Sequence, residues 1–249
     1  MLSRKMQVLV VCSHTMKEIT FNPANYVVQE FLEKPKPAKS YIPDWYKESN
    51  AFIGGKLNFS KGYNPDIKLC MPYFDTLTSG YIIELYQDIY VTTNSNGTQH
   101  IDVPEVGPLG IPADKQKSDI GLDVPRPFHY SQNMWTWNMP WSVTTPKGYS
   151  TMFVHPINRH DLPFISTSGI VDTDMFALSG NLPFFIKEDF EGIIPKGTPI
   201  IQVIPFKRDS WISKSEEYDD IETSKLKFLM RSAMYGVYKK MFWQKKEYK

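Results

Sequence analysis

Along the chain the spacing of apolar and polar residues changes character once. From about residue 79 to residue 207 short apolar runs alternate with turn residues; after residue 208 apolar positions recur every three or four residues. The run Ser79-Gly-Tyr-Ile-Ile-Glu-Leu-Tyr-Gln-Asp-Ile-Tyr-Val-Thr-Thr93 is rich in aromatic and β-branched residues and predicts one or two strands. Asn94-Ser-Asn-Gly97 then supplies residues that tolerate positive φ, so residues 98–103 should pair back as a hairpin. Met134-Trp-Thr-Trp-Asn-Met-Pro-Trp-Ser-Val143 alternates large apolar with polar positions, as a strand with one buried face does. Residues 67–71 form an apolar run that predicts a strand ended by Pro72. The tightest alternation lies in residues 144–209, where Pro146-Lys-Gly148 and Pro195-Lys-Gly197 each precede a β-rich run. Proline sets φ and glycine frees it, so each turn should start a strand. Beyond it, Leu226, Leu229, Met230, Ala233, Val237 and Met241 predict an amphipathic helix, and Ser213-Lys-Ser-Glu216 has the spacing of a capping box at its start.

The first fifty residues are polar and punctuated by proline. Residues 21–32 predict a short strand, and Glu33-Lys-Pro-Lys-Pro-Ala-Lys39 an extended, solvated linker. Tyr41-Ile-Pro-Asp-Trp-Tyr-Lys47 reads as a short helix that docks its rings on a neighbour. Residues 104–126 have no sustained period and predict a long surface loop of the kind that carries function or an interface. The chain therefore divides into an N-terminal tail, linker and short helix (1–50), a β domain (51–212) and a C-terminal helix (213–249).

A chain of 249 residues buries a sizeable core without disulfide staples, and its 14% aromatic content and 19 prolines favour strands and constrained loops. The formal charge of +1 argues against a dedicated nucleic-acid binder. Base is concentrated locally: residues 225–249 hold eight Lys or Arg and one Glu, behind an acidic stretch from Glu216 to Glu222. Acid at the start of a helix and base at its end complement the helix dipole, which accounts for the pattern structurally. Only Cys12 and Cys70 occur, in dissimilar surroundings, so neither a disulfide framework nor a cysteine metal site is expected, and a reducing, cytoplasmic setting fits. In the first fifteen residues the apolar run is too short for an export signal and lacks a small-residue cleavage pattern; Met16 offers a second translation start. No stretch approaches the roughly 18 apolar residues of a membrane span.

The order of motifs resembles the core of the trimeric dUTPase family. Thr78-Ser-Gly-Tyr81 is similar to that family's first motif. Pro146-Lys-Gly-Tyr149, Gly169-Ile-Val-Asp-Thr-Asp174 and Pro195-Lys-Gly-Thr-Pro-Ile-Ile-Gln-Val-Ile204 follow in the family's order. Over residues 79–204 the resemblance implies a mainly β, β-clip or distorted jelly-roll fold assembled as trimers. The chemistry transfers only in part. Ile82 stands where the family has a metal-supporting aspartate, and Met175 where it has a tyrosine against the sugar. The family's glycine-rich C-terminal arm is replaced by the amphipathic helix. Asp172 matches the carboxylate that orients the attacking water, with Asp174 two residues on. His155-Pro-Ile-Asn158-Arg159 falls near the family's phosphate loop and keeps its arginine. The whole chain also looks like a protein family of large tailed bacteriophages and some bacteria, which brings no activity with it.

These residues frame the expectations. Asp172 and Asp174, spaced by two in a strand, should share a face, where mutual repulsion would raise one pKa toward general-base work; Arg159, Asn158 and His155 are the candidate ligand-binding residues. The leading expectation is a phage-type, non-catalytic assembly or binding module. It would be a homotrimer without cofactor, with other phage proteins as further partners and neither membrane nor nucleic acid, in the host cytoplasm or the virion. The alternative is a divergent nucleotide pyrophosphohydrolase using Mg²⁺. A third reading, a metal-dependent oxygenase, gathers His129, His155, His160 and Asp161 around a metal, although no His-x-Asp/Glu tripeptide occurs.

Overall fold

A computed structural model describes residues 16–58, 64–103, 106–115, 124–232 and 236–249. The first fifteen residues with Cys12, Gly62 and Ala233, and much of the loop expected at 104–126, lie outside the described residues. The protein is mainly β, and its described residues form antiparallel pairs in four open sheets. In chain order the strands are β1 (Thr20–Pro23), β2 (Lys36–Pro37), β3 (Tyr81–Glu84), β4 (Ile89–Thr93), β5 (Gln99–Asp102), β6 (Ala113–Lys115) and β7 (Trp135–Asn138). They continue with β8 (Trp141–Thr144), β9 (Tyr149–Val154), β10 (Phe164–Ser166), β11 (Gly169–Val171), β12 (Asn181–Ile186), β13 (Gly192–Ile194) and β14 (Pro199–Lys207). Helices are α1 (Tyr26–Phe31), α2 (Asp44–Glu48), α3 (Met71–Thr78) and α4 (Asp220–Ser232), with shorter turns at Ala38–Tyr41, Ile67–Leu69 and Tyr238–Phe242.

Strand β14 is the longest and lies at the centre of the sheet ordered β11-β9-β14-β3-β2. Its residues from Pro199 to Val203 are all buried, the polar Gln202 among them, so both faces of the strand are covered and the stretch does not alternate. The sheets ordered β10-β12-β7-β6 and β13-β4-β5, with the β1-β8 pair, close around the same core. At its centre Trp137 stacks on Phe184 at 3.6 Å and meets Phe164 edge-on at 5.0 Å. The Trp137 indole N–H donates to Ser166 Oγ (3.0 Å), and that hydroxyl donates to the Ile200 carbonyl (2.8 Å), joining two sheets through a satisfied buried network. Trp135 and Trp141 are buried with it, so the tryptophan cluster is core packing.

Both Pro-Lys-Gly turns lead into strands, β9 and β14, with φ of +85° at Gly148 and Gly197. The hairpin at residues 94–97 forms as expected, with Thr93 opposite Gln99. Elsewhere the local reading is corrected. Residues 67–71 make a helical turn and the start of α3, because Pro72 sits in the first helical turn, where its missing N–H costs nothing, and Asp66 caps the turn. Residues 134–143 make two strands in different sheets, broken at Pro140, with Trp135, Thr136 and Trp137 all buried. Residues 21–32 split into β1 and helix α1, capped by Asn25. Lys36 and Pro37, expected in a solvated linker, extend the five-stranded sheet beside Ile82 and Tyr81.

The C-terminal segment also differs. Residues 213–219 are not helical; Asp219 caps α4 by accepting from the Glu222 amide (2.9 Å). After Gly236, at φ +74°, the chain turns back. Trp243 Nε1 then donates to both Asp75 carboxylate oxygens (3.0 Å each), and Tyr248 packs edge-on against Tyr81. Residues 208–232 are thus an excursion from the body whose far end is tied down again.

Candidate functional site

Strand β11 ends at Val171, and the chain leaves the sheet at Asp172, whose carbonyl accepts from the amides of Met175 and Phe176 (2.9 Å each). Register brings this turn to the start of β9 and the end of β14: Val171 lies opposite Thr151, and Lys207 opposite Tyr149. Arg208, one residue past β14, fills the space between the two carboxylates. Its Nη2 donates to Asp174 Oδ2 (2.5 Å) and its Nη1 to Asp174 Oδ1 (2.7 Å), a bidentate pair. The Gly148 amide also donates to Asp174 Oδ2 (2.7 Å). Asp172 Oδ1 accepts from Ser150 Oγ (2.6 Å) and lies 3.2 Å from Arg208 Nη1. The Asp174 side chain is 3% exposed and that of Asp172 63%.

The two aspartates therefore do meet, but through a turn and a shared guanidinium rather than on one face of a strand. The electrostatic outcome reverses the expectation for the inner one. The hydrogen bonds from Arg208 and then from the Gly148 amide hold the Asp174 carboxyl down at about 2. A carboxylate so stabilised is a poor proton acceptor, so the like-charge argument for a general base fails at Asp174. Because its pKa in the fold lies below the unfolded value near 3.9, its contribution to stability is present above about pH 4 and is lost as pH falls through about 2. Carbon-detected titration should give a midpoint near 2 for Asp174, rising toward the ordinary carboxylate range in Arg208→Gln. A midpoint near 4 in the unaltered protein would contradict the clamp. Arg208 and Ser150 are the members of this cluster that sequence reasoning missed; the Phe-Lys-Arg end of β14 was their one visible signal.

His155, Asn158 and Arg159 form a second cluster at the opposite end of the sheet. Arg159 forks onto Asp161, with Nε 2.9 Å from Oδ1 and Nη2 2.8 Å from Oδ2, and its Nη1 reaches the Tyr41 carbonyl (3.3 Å). The Tyr41 hydroxyl donates to Glu84, which lies opposite Pro199 at the start of β14. Pro199 and Arg208 are nine residues apart along an extended chain, on the order of 30 Å, so Arg159 and Asp172 do not converge. Asn158 adopts φ +62° and donates to Thr76 Oγ1 (2.7 Å). Beneath it Gln202, 2% exposed, accepts from the Ile157 amide (2.8 Å) and donates to the carbonyls of Thr76 (2.9 Å) and Ser79 (2.7 Å).

His155 is tied on both ring nitrogens. The Ser166 amide donates to Nδ1 (3.2 Å), which leaves Nε2 to carry the proton and donate to the Arg159 carbonyl (3.1 Å). Burial pushes the imidazole down to about 4, with the Arg159 hydrogen bond offsetting part of the fall. The three candidate ligand-binding side chains are therefore engaged in holding the loop at residues 155–161 against α3 and β10. Among the described residues no three His, Cys, Asp or Glu side chains group as a metal site; His129 lies on its own loop, its ring against Phe128. Among the described residues, no helix is long and apolar enough to cross a membrane.

Of several concavities among the described residues, two border these elements. One, of about 660 Å³, lies between residues 16–19, Tyr149 and the returning C-terminal residues Gln244, Lys245 and Tyr248. The other is an apolar groove of about 100 Å³ beside the Asp172 turn, lined by Met139, Trp141, Val143, Phe153, Val171 and Leu182 and edged by Phe176 and Leu178. No protein-family profile matches the chain, and no curated protein matches it in sequence.

Proposed function

We propose that the protein is a phage-type, β-clip assembly or binding module with no catalytic role, which self-associates as a trimer through its C-terminal arm. One observation carries this reading. In the excursion that leaves β14, Trp211, Ile212, Tyr218, Ile221 and Phe228 are 88, 96, 71, 69 and 73% exposed. Ordering such side chains in water is unfavourable unless a partner covers them, and contiguous exposed apolar surface marks interaction sites. The clamp on Asp174 supports the same reading, since it spends the best-placed carboxylate on holding the turn beside the arm's root. Light scattering is expected to return three times the chain mass, falling to one in Ile221→Asp/Phe228→Asp. Those two positions are exposed, so the change leaves the core intact; a monomeric unaltered protein would end this reading.

Asp172 favours a second reading. Its carboxylate is open to solvent, and the Gly169–Asp174 stretch that carries it resembles the trimeric dUTPase motif whose aspartate orients water, as a divergent nucleotide pyrophosphohydrolase using Mg²⁺ would need. Pyrophosphate release from a deoxynucleoside triphosphate, abolished in Asp172→Asn, would establish it; inactivity on all of them would dismiss it.

A further inference from the structure

Residues 16–19 and the C-terminal segment cross the same end of the five-stranded sheet and leave the larger concavity, about 660 Å³, between them. Register sets its floor. Val203 lies opposite Tyr81 and Lys207 opposite Tyr149, and Pro205 is two residues from each, so Tyr81, Pro205 and Tyr149 share one face. Its outer wall is fixed by side chains, since residues 243–249 pair with no strand among the described residues. Trp243 Nε1 and Lys246 Nζ both bond the Asp75 carboxylate, and the Lys246 ammonium lies 5.7 Å from the centre of the Trp243 ring. Further on, Tyr81 Oη donates to the Lys249 carbonyl (3.2 Å). Between these two attachments Gln244, Lys245, Glu247 and Tyr248 line the cleft as a strap.

The volume is that of a small-molecule site, for which about 300–1,000 Å³ is usual. The lining narrows the class of ligand. Lys17 and Lys245 are balanced by Glu18 and Glu247, so no surplus of base is present to select a phosphate or carboxylate. A wholly apolar ligand would strip water from those four charged side chains and give nothing back. Tyr149, Tyr248 and Pro205 meanwhile offer flat apolar surfaces, and Lys17, Glu18 and Gln244 bring donors and acceptors to the same space. A sugar ring has both characters at once. Its C–H face packs on an aromatic ring, and its hydroxyls exchange hydrogen bonds with amides, carboxylates and ammonium groups. We infer that this cleft binds a neutral saccharide stacked on Tyr149, with the strap latched on Asp75 as its outer wall. The inference does not depend on self-association through the arm.

The test is isothermal titration of the full-length protein with neutral trisaccharides of glucose, galactose, mannose or N-acetylglucosamine, and with inorganic phosphate as the anionic comparison. Saturable binding of one trisaccharide per chain is expected for at least one of the four. Tyr149→Ser removes the stacking face and should weaken that binding about tenfold. Lys17→Ala/Gln244→Ala, at two exposed positions, should weaken it as well and keeps the test decisive if near-UV circular dichroism shows Tyr149→Ser to be misfolded. Asp75→Asn, which gives up Lys246, should weaken binding and speed trypsin cleavage after Lys245 and Lys246 together, because both follow from a loosened strap. Ile221→Asp/Phe228→Asp lies in the arm and should bind as the unaltered protein does, whatever its oligomeric state. Failure of all four trisaccharides to bind overturns the inference. So does binding undiminished in every cleft variant, or phosphate bound more tightly than each saccharide.

Discussion

Gly80→Ala is expected to lower folding stability by about 3–5 kcal/mol, combining a left-handed backbone with an overpacked contact. Gly80 joins α3 to β3 at φ +73°, and an added Cβ would lie 2.0 Å from the Val203 carbonyl oxygen and 2.9 Å from its carbon. That carbonyl belongs to the middle of β14, paired on both sides by β3 and β9, so it has no room to yield. The Gly80 carbonyl meanwhile accepts from the Ala38 amide (2.9 Å), and the Ser79 carbonyl from Gln202. A shift at this junction would therefore disturb the N-terminal segment and the loop at 155–161 together. Gly97→Ala is the control: φ is +75° but nothing lies within 4 Å of the new Cβ, so only the conformational cost of about 1 kcal/mol applies. Urea denaturation of the two variants compares them directly, and equal losses would refute the close-approach argument.

Acidification from pH 6.5 to pH 4 is expected to remove about 3 kcal/mol of stability through His155 alone. Its folded value, about 4, lies below the ordinary 6.5 because burial disfavours the charged ring. The sign follows: the contribution is complete about one pH unit above 6.5, where folded and unfolded chains are both neutral. It is lost as pH falls toward 4, because the unfolded chain takes up the proton and the folded one resists. Geometry explains the resistance. A proton on Nδ1 would face the Ser166 amide, which already donates there. A fall in melting temperature of roughly 6–12 °C across this window is expected for a chain of this size. His155→Gln, whose amide can accept from Ser166 and donate to Arg159 without titrating, should flatten the dependence. An unchanged slope in that variant would show that other groups carry it.

Much of the β architecture was legible because turn chemistry is local. Pro146-Lys-Gly148, Pro195-Lys-Gly197 and Asn94-Ser-Asn-Gly97 specify their own backbone angles, and the strands they start or join are present. Apolar runs were less decisive where proline had two roles: Pro72 opens a helix, while Pro140 divides one expected strand into two in different sheets. The capping box at Ser213 was outcompeted by Asp219, which lies directly ahead of the helical residues. At the candidate site the sequence singled out Asp172 and Asp174 but not Arg208, because a guanidinium 34 residues from Asp174 becomes its neighbour only through the register of β9 with β14.

By itself, then, the sequence determined the mainly β character, the turns and the presence of a helix in the C-terminal segment, all of which depend on residues within a few positions of one another. The tertiary structure decided which charges meet. It set Asp174 against Arg208 and Arg159 against the Tyr41 carbonyl at opposite ends of one sheet, made His155 a buried neutral ring, and left the arm and the groove uncovered. Pairing register and burial are properties of contacts distant in sequence, and they govern pKa and exposure because both depend on what surrounds a side chain once the sheets have closed.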